Sequence, residues 1–373
     1  MPDRFRGLAK RILLPGIILQ SVLVGGGFAT GREIVEYGGK FGPMGWISGV
    51  SIFLGFSLMS ILSFEAARKW KVFDYKSLVK KLIGKSWIGF EIIYLALAIL
   101  TIAVMAAAAG EILRDIFSLN YWVGVSAIVF LVALFNFKGE DFIAKMKSIG
   151  TLALFIAYTI FGLSVFFSRT EQVFDAFSFP VGINGEPLSG LGPVVWTGIL
   201  YVGYNLGVYP ASLFTLRKLK SRKESIYAGI FSGLLMTVPW FLTYMAIMAY
   251  YPDMNVLGAT IPWLKMLQPF NNFYILAFGV VVGWTLVETA TGVIHAFIGR
   301  VDQDLIDHRK SSLTSRAKGI ISITALILAL ILAQVGIIDL IAKGYRFMAY
   351  GMILFYAIPL LFSSFRIMSD KPA

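Results

Sequence analysis

The sequence predicts an all-α integral membrane protein with about ten transmembrane helices, arranged as an inverted repeat of five plus five spans. Three observations lead to this fold class: an apolar composition, ten long apolar runs, and glycine-rich interruptions in the first and sixth runs. Only 14% of the 373 residues are charged and 57% are hydrophobic, whereas soluble domains carry about a quarter charged residues. Most of the surface is therefore expected to face lipid.

Ten apolar runs are long enough to cross the hydrocarbon core of a bilayer, which takes about 20 helical residues. They cover 11–38, 43–67, 86–114, 119–137, 140–168, 192–217, 223–251, 271–299, 315–335 and 337–366. The first repeat would cover 11–168 and the second 192–366. Because five is odd, the second repeat enters the membrane from the opposite side. An extracellular loop, 169–191, would connect them, and 252–270 would form a lid.

The lysine and arginine residues alternate with the spans. Of the 33, 26 lie on the side that also carries both termini, and short cytoplasmic loops of membrane proteins are enriched in such residues. This distribution predicts a multi-pass protein of the cytoplasmic membrane with both termini in the cytoplasm. It also explains the net charge of +12 by orientation rather than by nucleic-acid binding. The predicted partners are the bilayer and a small-molecule substrate.

Several function classes are disfavoured by the residue types. The chain has no cysteine and two histidines, so neither a thiolate-ligated metal nor a histidine-based zinc or haem site is expected. No cofactor is predicted beyond a possible coupling ion, Na⁺ or H⁺. Gly84-Lys85-Ser86 ends like a Walker A loop, but Val79 replaces its first glycine. Acid, base and nucleophilic residues do not cluster within the spans, so the chain is not expected to be an enzyme.

The first span is interrupted by Val24-Gly25-Gly26-Gly27-Phe28-Ala29-Thr30-Gly31. Hydrocarbon offers no partner to backbone polar groups, so such a break is tolerated only where it lines a protected cavity. Paired broken helices indicate the substrate site of a secondary transporter. Carbonyl groups that end the inner half-helix could coordinate a cation, and N–H groups that begin the outer half suit a carboxylate. The alternative interpretation is close packing of helices at small residues.

The sixth span is interrupted in the same way by Gly203-Tyr204-Asn205-Leu206-Gly207-Val208-Tyr209-Pro210. Tyr201 and Tyr204 would form walls of the pocket, and Asn205 would supply side-chain hydrogen bonds. Proline is well accommodated in the first turn of a restarting helix. A proline kink flanked by interfacial tyrosines is the alternative.

Glu288 lies twelve residues before Arg300, about 18 Å along a helix, and therefore near the middle of span eight. A carboxylate at that depth is costly unless it is paired, protonated or facing water. Thr285, Glu288 and His295 share one stripe of the helix, with Thr289 beside it. The stripe could complete a Na⁺ site, carry a proton with His295 as relay, or supply the counter-ion of a cationic substrate. A purely structural glutamate is the remaining alternative.

The span order resembles the LeuT-type fold of the amino acid–polyamine–organocation superfamily. Within it, the blocks 26–33, 201–205 and 288–291 resemble the YkvI-like bacterial and archaeal membrane proteins. The chain departs from the family pattern at Gly26, where alanine is usual, and at Thr30, where serine is usual. Both departures keep a small residue and a hydroxyl group.

The resemblance implies roles by position. The residues expected around the substrate are Gly25, Gly26, Gly27, Phe28, Tyr201, Tyr204, Asn205, Gly207 and Glu288. Those expected at the coupling ion are Ser21, Val22, Gly25, Thr285, Glu288 and Thr289. Arg32 and Glu33, one turn beyond the first break, could form an extracellular gate or an ordinary interfacial pair. Lys145 or Lys147 of span five could instead take the place of a sodium ion.

The sequence thus predicts a secondary active transporter for an amino acid or a small organic amine, coupled to Na⁺ or H⁺. Spans 1, 2, 6 and 7 would rock against spans 3, 4, 8 and 9, so that one central site opens alternately to each side. The alternatives from other classes are an ion-permeable channel and a nutrient sensor that uses a transporter fold without coupled transport.

Overall fold

The structure, a computed structural model, describes residues 2–136, 140–180, 182, 187–307, 311 and 313–368. Its α-helices are, in chain order, α1 (Pro2–Leu23), α2 (Gly26–Thr30), α3 (Arg32–Tyr37), α4 (Gly45–Trp70), α5 (Tyr75–Ile83), α6 (Trp87–Phe117), α7 (Tyr121–Asn136), α8 (Glu140–Ser168), α9 (Thr170–Phe177), α10 (Leu191–Asn205), α11 (Arg222–Met248), α12 (Met254–Leu257), α13 (Pro262–Leu267), α14 (Asn272–Asp307), α15 (Ser315–Ala333), α16 (Ile337–Asp339), α17 (Arg346–Met352), α18 (Ile358–Phe362) and α19 (Ser364–Met368). Three 3-10 segments cover Gly39–Met44, Gly84–Ser86 and Leu206–Lys218, and two π-helical segments cover Leu340–Tyr345 and Ile353–Ala357. The all-α class predicted from the sequence is confirmed.

Within the described ranges, seven helices are long and apolar enough to cross a membrane. An eighth candidate is the pair Leu152–Ser168 and Thr170–Phe177, which bends by 79° at Arg169. Two shorter apolar helices, Arg11–Leu23 and Tyr121–Phe135, occupy the places of the predicted first and fourth spans. The first span is divided at the glycine-rich stretch, and it continues in the short helices α2 and α3.

The segments predicted to lie outside the spans contain helices of their own. The structure forms α9 at the start of the connecting segment 169–191, of which residues 181 and 183–186 lie outside the described part. The predicted lid segment, 252–270, contains α12 and α13. Asp253 caps α12 by accepting a hydrogen bond from the N–H of Asn255 at 2.9 Å, which is a common helix start. Trp263 of α13 is fully buried, so the lid is packed into the protein.

The two faces of the protein are identified by α11, which crosses from one to the other. Glu224 at its start accepts a hydrogen bond from Arg11 of α1 at 2.9 Å, and the lid segment follows its end. We call the face with α12 and α13 the lid face. The opposite face, where α1, α6 and α11 begin, is the terminal face.

The spans pack as two groups around the first helix break. In the first group, α4 packs on both α10 and α11, and α11 packs on α1. In the second, α6 packs on α7, α14 and α15, and α14 packs on α8. The short helix α2 contacts α6 and α14, and α10 contacts α17. The break of the first span and the end of α10 therefore lie between the two groups.

Close approach of α4 and α11 depends on residues without a side chain. A Cβ atom on Gly229 of α11 would lie 2.6 Å from the backbone nitrogen of Ile61 and 2.8 Å from its Cα. Gly49 of α4 similarly faces the rings of Trp240 and Phe241. In lipid, where hydrophobic association adds little, van der Waals contact at small residues is a main source of helix–helix stability.

We expect Gly229→Ala to destabilise the protein by about 1–3 kcal/mol, because overpacking against a backbone cannot relax through a side chain. The measurement is thermal unfolding of the purified protein in detergent. Gly283→Ala is the matched control, since a Cβ there meets no atom within 4 Å. Equal melting temperatures for the two variants would contradict this account of the α4–α11 contact.

Candidate functional site

The first span is broken where the glycine-rich stretch predicts. After α1 ends at Leu23, the N–H of Gly25 donates to the Leu23 carbonyl at 2.7 Å, a tight turn in place of a helical bond. Gly25 itself is extended, with φ −107° and ψ −160°. The chain then re-enters a helix for only five residues in α2. The last carbonyl groups of α1 consequently end at this break rather than in a continuous helix.

A second interruption follows at Gly31, which separates α2 from α3. Its φ of +82° lies in the left-handed region that L side chains rarely adopt. Thr30 stabilises the turn, because its hydroxyl donates to the Gly27 carbonyl at 2.8 Å and accepts from the Arg32 N–H at 3.2 Å. The turn directs the first residues of α3 back over α2.

Glu33 consequently points its carboxyl group at the first helix break. The hydroxyl of Tyr204 donates to Glu33 Oε2 at 2.6 Å. A Cβ atom on Gly27 would overlap Glu33 Oε1. The Glu33 residue is only 5% exposed. Gly27 thus leaves the space that the carboxyl group fills.

The interruption of the sixth span falls at the predicted residues but takes another form. Helix α10 ends at Asn205, and Leu206–Lys218 continues as a 3-10 helix rather than as an unwound segment. The backbone angles of Asn205 stay helical, at φ −70° and ψ −8°. Pro210 has no N–H to donate, and the narrower i to i+3 pattern accommodates it. Gly207 lets this segment approach α6, since a Cβ would lie 2.6 Å from Leu97 Cδ2.

A cavity of about 210 Å³ joins both interruptions. Its lining comes from the first span, α6, the sixth span, α14 and the π-helical segment of span ten. The polar and glycine residues that line it are Ser21, Gly25, Gly27, Glu33, Tyr94, Thr101, Tyr204, Asn205, Gly207, Glu288, Thr289, Gly292 and Tyr345. The rest of its wall is apolar, and includes Val22, Leu97, Met105, Val208, Val293 and Phe297. The cavity therefore combines carboxyl and hydroxyl groups with a mostly apolar wall.

The cavity extends from the helix breaks toward the terminal face. It is lined by Tyr94 and Ala98 in the first half of α6, and by Ala296 in the second half of α14. On the other side, Tyr345 stacks on Tyr204 with ring centroids 4.5 Å apart and planes 15° apart. This pair and Glu33 separate the cavity from the lid face.

An aromatic layer closes the lid face above the first break. The ring of Tyr158 lies 5.4 Å from that of Trp263 in α13 and 6.3 Å from that of Phe28. The Tyr158 hydroxyl also donates to the Ala29 carbonyl, which ties α8 to α2. Trp263 and Phe28 are both fully buried. Phe28 borders a second, small cavity of about 20 Å³ beside this layer.

Arg32 and Glu33, the predicted gate residues, point in different directions. Glu33 faces the cavity, whereas the Arg32 guanidinium donates to the carbonyls of Leu257 at 2.7 Å and Ala259 at 3.1 Å in the lid segment. One turn further along, Glu36 forms ion pairs with Arg346 at 3.2 Å and with Lys40 at 2.5 Å. Arg32 thus connects the lid segment to the first span through its two hydrogen bonds.

The residues expected at the coupling ion occupy two different environments. Ser21, Val22, Gly25, Glu288 and Thr289 line the cavity, and a Cβ on Gly25 would be 3.4 Å from Thr289 Cγ2. Glu288 is 6% exposed, and its Oε2 atom lies against Gly150 of α8.

Thr285 is not among the residues that line the cavity. Its hydroxyl donates within α14 to the Val281 carbonyl at 2.8 Å. The side chains of Lys145 and Lys147 lie outside the described part of the structure. Gly26 begins α2. Tyr201 packs behind Tyr204 with ring centroids 5.5 Å apart, and so supports the wall.

Among the cavity residues that sequence reasoning missed are two tyrosines. Tyr345 and Tyr94 come from spans ten and three, which showed no break and no acidic residue at mid-membrane. Tyr345 ends a π-helical segment, a feature that often occurs at functional sites. The sequence signal that could have found them is a tyrosine inside an apolar span, since its hydroxyl needs a polar partner there.

Comparison with solved structures identifies the architecture. The described chain matches an inward-facing conformation of Mhp1 with a TM-score of 0.61 at 16% identity, covering 91% of this chain and 76% of that one. A mutant of the Eremococcus coleocola manganese transporter matches with a TM-score of 0.60 at 14% identity, over 98% and 81%. MhsT in complex with L-phenylalanine matches with 0.58 at 14% identity, over 93% and 87%.

The chain has the LeuT-type fold. No family of known protein sequences and no curated relative matches it, so the resemblance to the YkvI-like proteins remains a resemblance. Two of the matched structures are described as a manganese transporter and a Na⁺-coupled sialic acid symporter. In that fold the first and sixth spans are the interrupted ones, as the sequence predicts here.

We expect Arg32→Gln to loosen the lid and to shift the population toward a conformation open at the lid face. Because the chain has no cysteine, an Ala98→Cys variant reports the accessibility of the terminal side of the cavity to a maleimide reagent. The labelling rate should fall about threefold or more in the Arg32→Gln background, since hydrogen bonds from a charged donor contribute roughly 1.5–3 kcal/mol.

Lys343→Gln is the control for this experiment, because Lys343 forms a solvent-exposed pair with Asp339 on the same face, and such pairs contribute little. An unchanged labelling rate with Arg32→Gln would show that these hydrogen bonds do not hold the lid.

Proposed function

We propose that this protein is a secondary active transporter of the cytoplasmic membrane that moves an amino acid or a small organic amine, coupled to Na⁺ or H⁺. The observation that carries the proposal is the cavity of about 210 Å³ that both interrupted spans line inside the bilayer. A helix break in hydrocarbon is costly unless it lines such a cavity. Both termini would lie in the cytoplasm, as the distribution of basic residues predicts.

The grouping of the helices supports alternating access. One group contains α1, α4, α10 and α11, and the other contains α6, α7, α8, α14 and α15. Except for α8, which packs on α11 as well as on α14, these groups match the spans predicted to rock against each other, and the cavity lies between them. The aromatic layer of Phe28, Tyr158 and Trp263 closes the cavity toward the lid face. Toward the terminal face, the lining of the cavity continues as far as Phe297. Access from one side at a time favours a transporter over a channel, which needs a continuous polar path.

The coupling ion would bind beside the first break. Ser21, Glu288 and Thr289 line the same cavity as Gly25, and the Ser21 hydroxyl donates to the Ile18 carbonyl at 2.9 Å. Hydroxyl and carboxyl oxygens of this kind suit Na⁺ or a proton-carrying site. Among the structural neighbours, one is described as a Na⁺-coupled sialic acid symporter. The same residues support either coupling ion, and the experiments below separate the two.

We expect the purified protein, reconstituted in liposomes, to catalyse saturable uptake and counterflow of its substrate. Compounds that bind should first be identified by a thermal-shift screen of amino acids and amines, in Na⁺ or K⁺ and at two pH values. Ligands that bind the native state raise its stability. Counterflow distinguishes a transporter from a sensor, which binds without transport. Non-saturable flux without counterflow would favour the channel and contradict the proposal.

The variant Thr289→Val tests the position of the coupling ion. If Na⁺ binds there, loss of the hydroxyl ligand should raise the Na⁺ concentration needed for half-maximal uptake by about tenfold, which corresponds to roughly 1.4 kcal/mol. Thr285→Val is the matched control, since the Thr285 hydroxyl bonds within its own helix. Uptake that follows the pH gradient and is insensitive to both changes would assign the coupling to H⁺ instead.

A further inference from the structure

We propose that the substrate is an organic ammonium ion without a carboxylate, and that Glu33 supplies its counter-charge. This inference rests on the proposed transport function and narrows it from amino acids and amines to amines. The inference is based on the Glu33 carboxyl group, which already occupies the break in the first span.

The outer half of the first span carries an internal carboxyl group where a substrate carboxylate would otherwise bind. The turn at Gly31 brings Glu33 back over the first residues of α2, and Gly27 leaves room for it. The hydroxyl of Tyr204 donates a hydrogen bond to the Glu33 carboxyl group. A substrate carboxylate at this position would have to displace Glu33, because the Glu33 carboxyl group already fills the space that Gly27 leaves. The first break therefore disfavours an amino acid bound through its carboxylate.

The cavity wall favours a positively charged group with an apolar body. Among the residues that the structure describes, those lining the cavity include two glutamates and no lysine, arginine or histidine. The aromatic side chains of Tyr94, Tyr204, Tyr345 and Phe297 also line it, and aromatic faces attract ammonium groups. Most of the remaining lining is aliphatic, which suits a hydrocarbon chain or ring.

The volume and the ligand set argue against a bare metal ion. A cavity of about 210 Å³ is several times the roughly 30 Å³ that one water molecule occupies in the liquid. In the described part of the chain, no group of three or more His, Asp or Glu residues is arranged to hold a metal. The manganese transporter found among the structural neighbours thus shares the fold, whereas this cavity suits a larger organic cation.

The test compares three probes that share one ring and differ in charge: 2-phenylethylamine, L-phenylalanine and 3-phenylpropionate. Each is added to the full-length purified protein, and binding is measured by thermal shift and by competition in calorimetry. We expect the amine to stabilise the protein, and the zwitterion and the acid to bind at least about tenfold more weakly. A short series of aliphatic amines extends the probe set if the aromatic ring is too large.

The variant Glu33→Gln should weaken amine binding by about tenfold or more, because it keeps the size of the side chain and removes its charge. Asp339→Asn is the control for the loss of one carboxylate, since Asp339 is half-exposed on the lid face. Glu33→Asp keeps the charge and should keep the preference for amine over amino acid, so the proposal stays testable if the glutamine variant does not fold. Unchanged amine affinity in Glu33→Gln would overturn the assignment of Glu33.

The outcomes separate this inference from the transport function. Tighter binding and counterflow of L-phenylalanine or another amino acid would overturn the amine assignment and leave the transporter intact. Stabilisation by no amine of the series would also overturn the assignment. Amine binding without counterflow in liposomes would support the assignment and contradict transport.

Discussion

Hydrocarbon cannot hydrogen-bond to the N–H and C=O groups that the first span leaves outside a continuous helix. In this chain the partners come from the interrupted segment and from the spans around it. Thr30 bonds to both sides of the turn at Gly31, and Tyr158 donates to the Ala29 carbonyl. The break is thus stabilised by side chains of the first span and of α8, and the cavity exists because the break is held open in this way.

Other contacts near the break connect the first span to the sixth span, the tenth span and the lid segment. Glu33 belongs to the first span and Tyr204 to the sixth, while Tyr345, stacked on Tyr204, belongs to the tenth. On the lid face, Arg32 connects the first span to the lid segment, and Glu36 connects it to Arg346. A rearrangement that opened the lid face would have to break these contacts together. Because several modest interactions in one layer would break together, the lid face is expected to be either closed or open.

The sequence predicted the parts of this structure that follow from local physical chemistry. The all-α fold and the interruption at Gly25–Gly27 follow from apolar length and from the glycine run, and both are observed. The placement of Glu288 beside the break was also expected from its depth in span eight.

Other features depend on contacts between distant residues or on small changes of helix geometry. The direction of Glu33 depends on the left-handed turn at Gly31 and on a hydrogen bond to a residue 171 positions away, and neither is visible in residue spacing. The π-helical register of Tyr345 and the 3-10 form of span six are backbone states that are less common than the α-helix. Packing against neighbouring spans decides between them, so composition does not indicate them.

The 3-10 helix Leu206–Lys218 has a mechanical consequence. Its thirteen residues rise roughly 26 Å at about 2.0 Å per residue, compared with roughly 20 Å for the same length of α-helix. A conversion of this segment to α-helix would draw its far end in by about one helical turn, without a hinge residue and without loss of most backbone pairing. The 3-10 form therefore makes this part of span six longer, by about one helical turn, than an α-helix of the same thirteen residues.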